Sequence, residues 1–226
     1  MEKNIAEKVF DSVHKVYDKF LTFVTLRRID RWQLELIDST PLGNFILDVG
    51  TGTGEVLKKL LERGEGFKLI GLDVSLKMLK VAEGKLSGRK SVLLIRSDAL
   101  RIPIKDGTLD NLFFSLVFRH LPHGKSIPEV KRVLRKGGYV SILEIGKPES
   151  DFLYTLIHLF MDKIFRPLGR LIFSKEEWDY FVKSVENAKR EKELVELFSK
   201  SGFRVYSYSK RFFGLIHIAI FKKEAS

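Results

Sequence analysis

Between Phe45 and Ile145 the chain alternates short apolar runs with stretches whose apolar residues recur every third or fourth position, and few folds accept that pattern. Residues 45–49, 67–72, 91–95, 109–116 and 139–145 read as strands. Residues 55–62, 76–86 and about 126–134 read as the intervening helices. A run such as Phe45-Ile46-Leu47-Asp48-Val49 lacks the polar alternation of a half-exposed strand, so it predicts a strand buried on both faces of a parallel sheet. Strands alternating with helices make βαβ units, which predicts a doubly wound α/β sheet with helices on both faces. The ends differ. Apolar Ile5, Val9, Val13, Val16, Phe20 and Phe23 predict a helical cap over residues 1–40, whose second helix, 28–37, stops at the breakers Ser39-Thr40-Pro41-Leu42-Gly43. A helix over 191–201 stops at Gly202, and strands 203–207 and 215–221 follow, joined by 208–214. That link is too short for a crossover helix, so the last two strands must pair antiparallel. The 226 residues suit one domain carrying a helical insertion at about 150–185.

The sharpest local motif is Asp48-Val49-Gly50-Thr51-Gly52-Thr53-Gly54-Glu55, set where the first strand gives way to a helix. Glycine tolerates the left-handed backbone of a tight turn and lets a ligand approach bare main chain. The carboxyl end of a central strand is where open α/β sheets bind ligands. The second strand ends in Gly71-Leu72-Asp73-Val74-Ser75, where Asp73 can take both hydroxyls of a ribose; Ser75 is better placed than Asp73 to cap the helix that follows. The third strand ends in Ser97-Asp98-Ala99-Leu100. Glycines at every second position differ from the G-x-G-x-x-G that seats a pyrophosphate on a helix N-terminus.

Composition removes several classes. With no cysteine, disulfides, thiolate zinc sites and cysteine nucleophiles are excluded, and no metal site is expected. The opening Met1-Glu2-Lys3-Asn4 lacks a basic region ahead of an apolar stretch, so no secretory signal and a cytoplasmic location are expected. Forty Lys and Arg against twenty-nine acids give a net charge of +11, which fits an anionic partner; four Asn and one Gln fit equally the charged, amide-poor surface of a thermophile.

The alternating pattern with its closing hairpin resembles the class I methyltransferase fold, a mostly parallel seven-stranded, Rossmann-like sheet. That resemblance implies S-adenosylmethionine (SAM) as cofactor and S-adenosylhomocysteine as product. Asp48 would face the SAM ammonium, Gly50, Thr51, Gly52 and Gly54 would form its loop, and Asp73 with Val74 would hold the ribose. Asp98 and Ala99 would border the adenine, Met78 would flank it, and Ser115 would close the fourth strand beside the cofactor. The chain also resembles, nearly end to end, the ubiquinone/menaquinone C-methyltransferase (UbiE/MenG) family. The likeness rests on Val9-Phe10-Asp11-Ser12-Val13, Tyr17-Asp18 and Arg31-Trp32, and on Ser115–His120, where His120 stands in place of the family's Asn. Arg132–Gly138 running on to Glu144, Pro148, Pro167-Leu168-Gly169, Trp178 to Phe181, Ser184, Gly202-Phe203 and Gly214 follow the same layout. Phe20, Leu21, Asp30, Lys136 and Gly146 depart from it.

The resemblance implies methylation of a ring carbon of a demethylated prenyl quinol in quinone biosynthesis. Such a carbon becomes nucleophilic when the ring hydroxyl ionises. With a pKa of about 10 by analogy with tyrosine, only roughly one molecule in a thousand is ionised at pH 7, a handicap of ~4 kcal/mol. A base or a cation must make up the difference. Arg119 suits the phenolate and His120 the base with His123 as rival, and the resemblance implies that the N-terminal helix carrying Tyr17 and Asp18 closes over the donor. Residues 151–173 carry many apolar side chains with Asp162, Lys163, Arg166, Pro167 and Arg170 among them, which excludes a membrane span and predicts a lid receiving a lipid tail at a membrane surface, or a packing or homodimer face. The rivals are another small-molecule or lipid acceptor, a non-catalytic SAM binder, and an RNA methyltransferase. The last is suggested by five basic residues within 125–136, yet no RNA-binding module and no Asn/Asp-Pro-Pro-Tyr motif accompanies them.

Overall fold

A computed structural model describes residues 8, 11–12, 17–150, 152, 155, 159, 163 and 174–224. Helix α1 (Tyr17–Val24) and α2 (Ile29–Asp38) lead into β1 (Phe45–Val49). Then come α3 (Glu55–Leu61), β2 (Lys68–Asp73), α4 (Leu76–Lys85), β3 (Val92–Arg96), β4 (Leu109–Ser115), a 3-10 turn Phe118–His120, α5 (His123–Val133) and β5 (Leu134–Ile145). The chain ends with α6 (Lys175–Glu186), α7 (Glu191–Ser199), β6 (Phe203–Arg211), a 3-10 turn Phe212–Gly214 and β7 (Ile216–Lys223). The seven strands form one sheet in the order β3-β2-β1-β4-β5-β7-β6, with β7 antiparallel to β5 and to β6 and the others parallel. The expected doubly wound sheet with its antiparallel end is therefore observed.

Successive residues of a strand face opposite sides, and the core divides accordingly. Leu47, Leu112 and Phe114 pack on one face with Val130 of α5 and Phe198 of α7. Ile46 and Phe113 pack on the other with Leu36 of α2, Leu57 of α3 and Ala82 of α4. Helix α2 buries Ile29, Trp32, Gln33, Leu36 and Ile37, the three-and-four spacing of one helical face. Most of the predicted cap upstream of Tyr17, including Ile5, Val9, Val13 and Val16, lies outside the described residues, as does most of 151–173.

Three boundaries differ from the sequence reading by more than two residues. Helix α5 begins at His123 rather than near Ser126. Strand β5 begins at Leu134 rather than Tyr139, because Leu134 pairs with Leu109 before the register jumps and Tyr139 pairs with Asn111. The extra residues Arg135-Lys136-Gly137-Gly138 form a bulge, where Gly137 takes φ +72° and a side chain at Gly138 would press on the Asp110 and Arg135 carbonyls. The Arg-Lys-Gly-Gly stretch thus has a local structural cause. Strand β6 runs on to Arg211, so the link taken as 208–214 shrinks to a turn after Arg211. As an edge strand with hydroxyl and basic side chains, residues 208–211 carry no apolar pattern to betray them.

Candidate active site

The order of strands reverses between β1 and β4, and a cavity of about 1360 Å³ opens at their carboxyl ends. That is room for a nucleoside-sized ligand and a second molecule. Its walls bring together Asp48, Gly50, Thr51, Gly52, Asp73, Val74, Met78, Asp98, Ala99, Ser115, Arg119 and His120. Gly54, also expected at the cofactor, instead packs its backbone against α4, where a side chain would stand 3.1 Å from the Ala82 Cβ. The Tyr17 side chain lies outside what is described.

The loop after β1 is held by backbone. The Gly50 and Thr51 amides both donate to the Leu72 carbonyl of β2, at 2.7 and 3.0 Å. Gly50 takes φ +66°, and a side chain there would collide with Val117 at 2.5 Å. Gly52, at φ +54°, has nothing nearer to its missing Cβ than the Gly50 carbonyl oxygen at 3.9 Å, so bare main chain borders the open cavity. Asp73 braces this loop: its Oδ2 accepts from the Gly52 amide at 2.8 Å and its Oδ1 from the Ser75 amide at 2.9 Å. Ser75 is the cap of α4, accepting from the Met78 amide, as the sequence placed it. Asp98 Oδ1 accepts from the Leu100 amide at 3.0 Å.

Asp48 is buried, and its Oδ2 accepts from the Thr51 hydroxyl at 2.7 Å. Burial pushes its carboxyl up to about 7, against the Thr51 hydrogen bond and helped by the nearby charge of Asp73. Burial likewise raises Asp73, although the amides of Ser75, Gly52 and Val74 oppose the shift. Asp18, Asp48, Asp73, Asp98 and Asp179 line the cavity together with Lys8, Arg119, Lys125 and Lys183, and the acids Asp48 and Asp73 beside the glycine loop suit a ligand carrying positive charge there. SAM fits on both counts, since it has an ammonium and a sulfonium and needs close backbone approach at a ribose and amino-acid tail.

The N-terminal segment is tied to these loops by residues that periodicity alone did not mark. Ser75 Oγ donates to Asp11 Oδ1 at 2.5 Å, and Thr53 Oγ1 donates to Asp18 Oδ1 at 2.7 Å. Lys85 bridges Asp18 and Glu55, each at 2.6 Å. On the acceptor side, Gln33 Nε2 donates to Ser115 Oγ at 3.0 Å.

Arg119 is where the reading changes most. Its guanidinium is buried, with Nη1 on Glu144 Oε1 at 2.5 Å and on the Leu116 carbonyl at 2.9 Å, and Nε on Ser184 Oγ at 3.3 Å. Glu144 Oε2 also accepts the Arg119 amide at 3.0 Å. Nε and Nη1 of the cation expected to hold a phenolate are therefore already engaged, and among the described residues none is hydrogen-bonded to Nη2. His120 lines the cavity with its ring stacked on Tyr180 of α6, centroids 5.3 Å apart. Burial, then the neighbouring Arg119 charge, pushes its imidazole well below the ordinary 6.5, so it stands neutral. The rival His123 stacks on Phe118 at 4.5 Å and points Nε2 at the Phe118 carbonyl, away from the cavity lining. Asp179, Tyr180, Lys183 and Ser184 from the C-terminal part of the predicted insertion, with Asn187 just past it, give the cavity a wall, and no spacing rule in a single sequence assigns them there. Among the described residues no group is placed to hold a metal ion, and no helix is long and apolar enough to cross a membrane.

The model of the ubiE/COQ5 methyltransferase family matches residues 1–223. A demethylmenaquinone methyltransferase from Lactococcus lactis is 30% identical over 220 residues, 93% of this chain and 86% of its own. One from Chlamydia pneumoniae is 28% identical and covers 96% of each chain. Among solved structures, a SAM-dependent methyltransferase from Aquifex aeolicus superposes with a TM-score of 0.62 at 24% identity, over 86% of this chain and 91% of that one, which is a likeness of fold. With the sheet order, the acids at successive strand ends and a match across nearly the whole length, this chain belongs to the ubiE/COQ5 methyltransferase family and is a methyltransferase of the class I, SAM-dependent fold.

Proposed function

We propose that the protein transfers the methyl group of SAM to a ring carbon of a demethylated prenyl quinol, the demethylmenaquinone or demethylubiquinone type. The observation that carries the reading is the trio Asp48, Asp73 and Asp98 at three successive strand ends around the Gly50–Gly52 backbone, in a cavity with space left for an acceptor. SAM, when bound, supplies an electrophilic methyl group on a sulfonium. The chain's own contribution is to hold its tail at Asp48, its ribose at Asp73 and its adenine beside Asp98, and to keep the acceptor carbon in line at about 3–3.5 Å. Near the acceptor, neutral His120 takes the hydroxyl proton directly or through water and Arg119 stabilises the phenolate; once the carbon has taken the methyl group and S-adenosylhomocysteine is formed, the ring C–H proton moves to the oxygen and restores the aromatic quinol.

The deciding assay follows a radiolabelled methyl group into demethylated quinols, small phenols and total RNA in parallel. Label in the quinol ring is expected; label confined to phenols or RNA would overturn the reading. The RNA alternative loses support in the geometry. Of the basic residues in 125–136, Arg132 is tied to Glu129 and Asp106, Arg135 to Asp110, and Lys125 borders the cavity.

Asp48 gives a second test. With its carboxyl near 7 in the free protein, about half of the molecules carry that proton at pH 7. An ammonium placed beside it favours the carboxylate, so SAM binding should release roughly half a proton. Calorimetry at pH 7 in phosphate and in Tris would show the release as a difference in apparent binding enthalpy. Equal heats in both buffers would remove Asp48 from the ammonium.

His120 gives a third. Because its pKa is lowered, the limb it contributes to the single-turnover rate should lie below pH 6.5. His120→Asn should erase that limb and cost about 10²-fold, the lower end of general-base catalysis. A variant with unaltered rate and profile would show that His120 is not the base.

A further inference from the structure

We infer that the β6–β7 turn and the turn between α1 and α2 together form a docking surface for an anionic lipid bilayer, at the mouth of the cavity. The inference rests on the prenyl-quinol reading for its purpose, though not for its geometry. Five non-glycine residues among those described have positive φ, and four of them sit in these two turns: Leu26 (51°), Arg27 (62°), Phe212 (50°) and Phe213 (57°). Left-handed backbone is costly for such side chains and survives where the surroundings impose it, often at functional sites. Here the strained residues hold large apolar groups in water. Phe213 is 80% exposed, Leu26 64% and Phe212 41%.

The two turns are at the same end of the molecule. Glu35 of α2 receives Ser209 and Arg211 of β6, and one turn nearer the N-terminus of α2 Trp32 meets Phe212, ring centroids 6.5 Å apart. One further helical turn, about 5.4 Å, reaches Arg28 and the end of the α1–α2 turn. This end is the carboxyl edge of the sheet, because Ile145 at the end of β5 pairs with Ile216 at the start of β7. It also borders the cavity, which Leu21 of α1 and Gln33 of α2 line.

Charge selects the occupant. Lys210 and Arg211 are paired with Glu191 and Glu35, but Arg27 and Arg28 are exposed and no described residue pairs with their guanidiniums. Neither turn contains an acid. Exposed aromatic and aliphatic tips rimmed by unpaired arginines complement an interface of anionic headgroups over acyl chains. A flat protein partner would leave these protrusions without pockets of known shape, whereas a bilayer accommodates any shape. The surface continues toward the predicted lid, since the Pro148 backbone lies against Gly214 and Phe152, just beyond, is 79% exposed. A prenyl quinol resident in that bilayer would then face the cavity without leaving the membrane for water.

The test is flotation with vesicles of phosphatidylcholine alone and of phosphatidylcholine with phosphatidylglycerol. The wild-type chain should float with the anionic vesicles. Leu26→Ser/Phe213→Ser should lower its partition at least tenfold. Arg27→Gln/Arg28→Gln should remove the preference for anionic lipid, at about fivefold per charge. Both variants should methylate a short-chain, water-soluble demethylated quinol as the wild type does, while losing rate on a long-chain quinol in vesicles. Wild-type protein that stays with neither vesicle, or variants that float unchanged, would overturn the inference. So would variants that only convert a dimer to a monomer in light scattering, since the surface would then meet a second copy. Failure of the wild type to methylate the soluble quinol would instead strike the function reading and leave the flotation result to stand alone.

Discussion

Arg119→Ala is expected to destabilise the protein by about 3–5 kcal/mol, because it strands the Glu144 carboxylate in a buried site. The Arg119 and Glu144 side chains are only 6% and 7% exposed, so water cannot replace the lost partner. For a chain of this size the loss corresponds to a fall in Tm of about 10 °C. The charge pair holds more than itself. Leu116, at φ +61° just past β4, offers its carbonyl to Nη1, and the Arg119 amide returns to Glu144, so the turn that carries His120 is built on the same group. Replacing both partners, as in Arg119→Met/Glu144→Gln, removes the stranded charge and should recover much of the stability. Arg119→Lys keeps the charge but not the planar fork that serves Glu144, Leu116 and Ser184 together, and should fall between. Thermal melts of the four proteins decide it. If Arg119→Ala melts with the wild type and loses only turnover, the pair is not structural, and the guanidinium works chiefly on the acceptor.

The cluster of acids around the glycine loop was legible in the sequence because these residues are attached to element ends. A strand read from its apolar run fixes where Asp48, Asp73 and Asp98 emerge, and parallel pairing then puts those ends side by side. The acceptor side was not legible for the opposite reason. Gln33 reaches Ser115 across 82 residues, Arg119 reaches Glu144 and Ser184 across 25 and 65, and Tyr180 arrives on an inserted helix. Periodicity reports which face of an element is buried, not what it is buried against. Arg119 was thus placed correctly and understood incompletely: its position at the carboxyl edge followed from β4, and its engagement with Glu144 did not. The Phe212–Phe213 turn fell inside the predicted link 208–214, but its left-handed residues are phenylalanines, which no turn rule marks.

Asp73→Ala should weaken SAM at least tenfold, and Asp73→Asn should weaken it about as much. A carboxylate has acceptor capacity for roughly four hydrogen bonds. At Asp73 the Gly52 amide takes one on Oδ2 and the Ser75 amide one on Oδ1, the Val74 amide also acts on the carboxylate, and the capacity that remains serves the ribose hydroxyls. Hydrogen bonds to a charged acceptor are worth about 1.5–3 kcal/mol each, so losing two exceeds a factor of ten comfortably. In many sites Asn is a mild replacement for Asp, but not here. Whichever way its amide turns, the NH₂ group faces either the Gly52 or the Ser75 amide, donor against donor. The loop that presents Gly52 to the cavity is then pushed off its brace in addition to losing a ribose acceptor. Ser75 would also lose its fixed place as the cap of α4, so a modest loss of thermal stability should accompany the weaker binding. Calorimetry with SAM and with S-adenosylhomocysteine should give the same fold-loss for both, because the ribose is common to them and the sulfonium charge is not. An Asp73→Asn protein that keeps wild-type affinity would show that no second acceptor is needed at this strand end, and the ribose would have to be held elsewhere in the cavity.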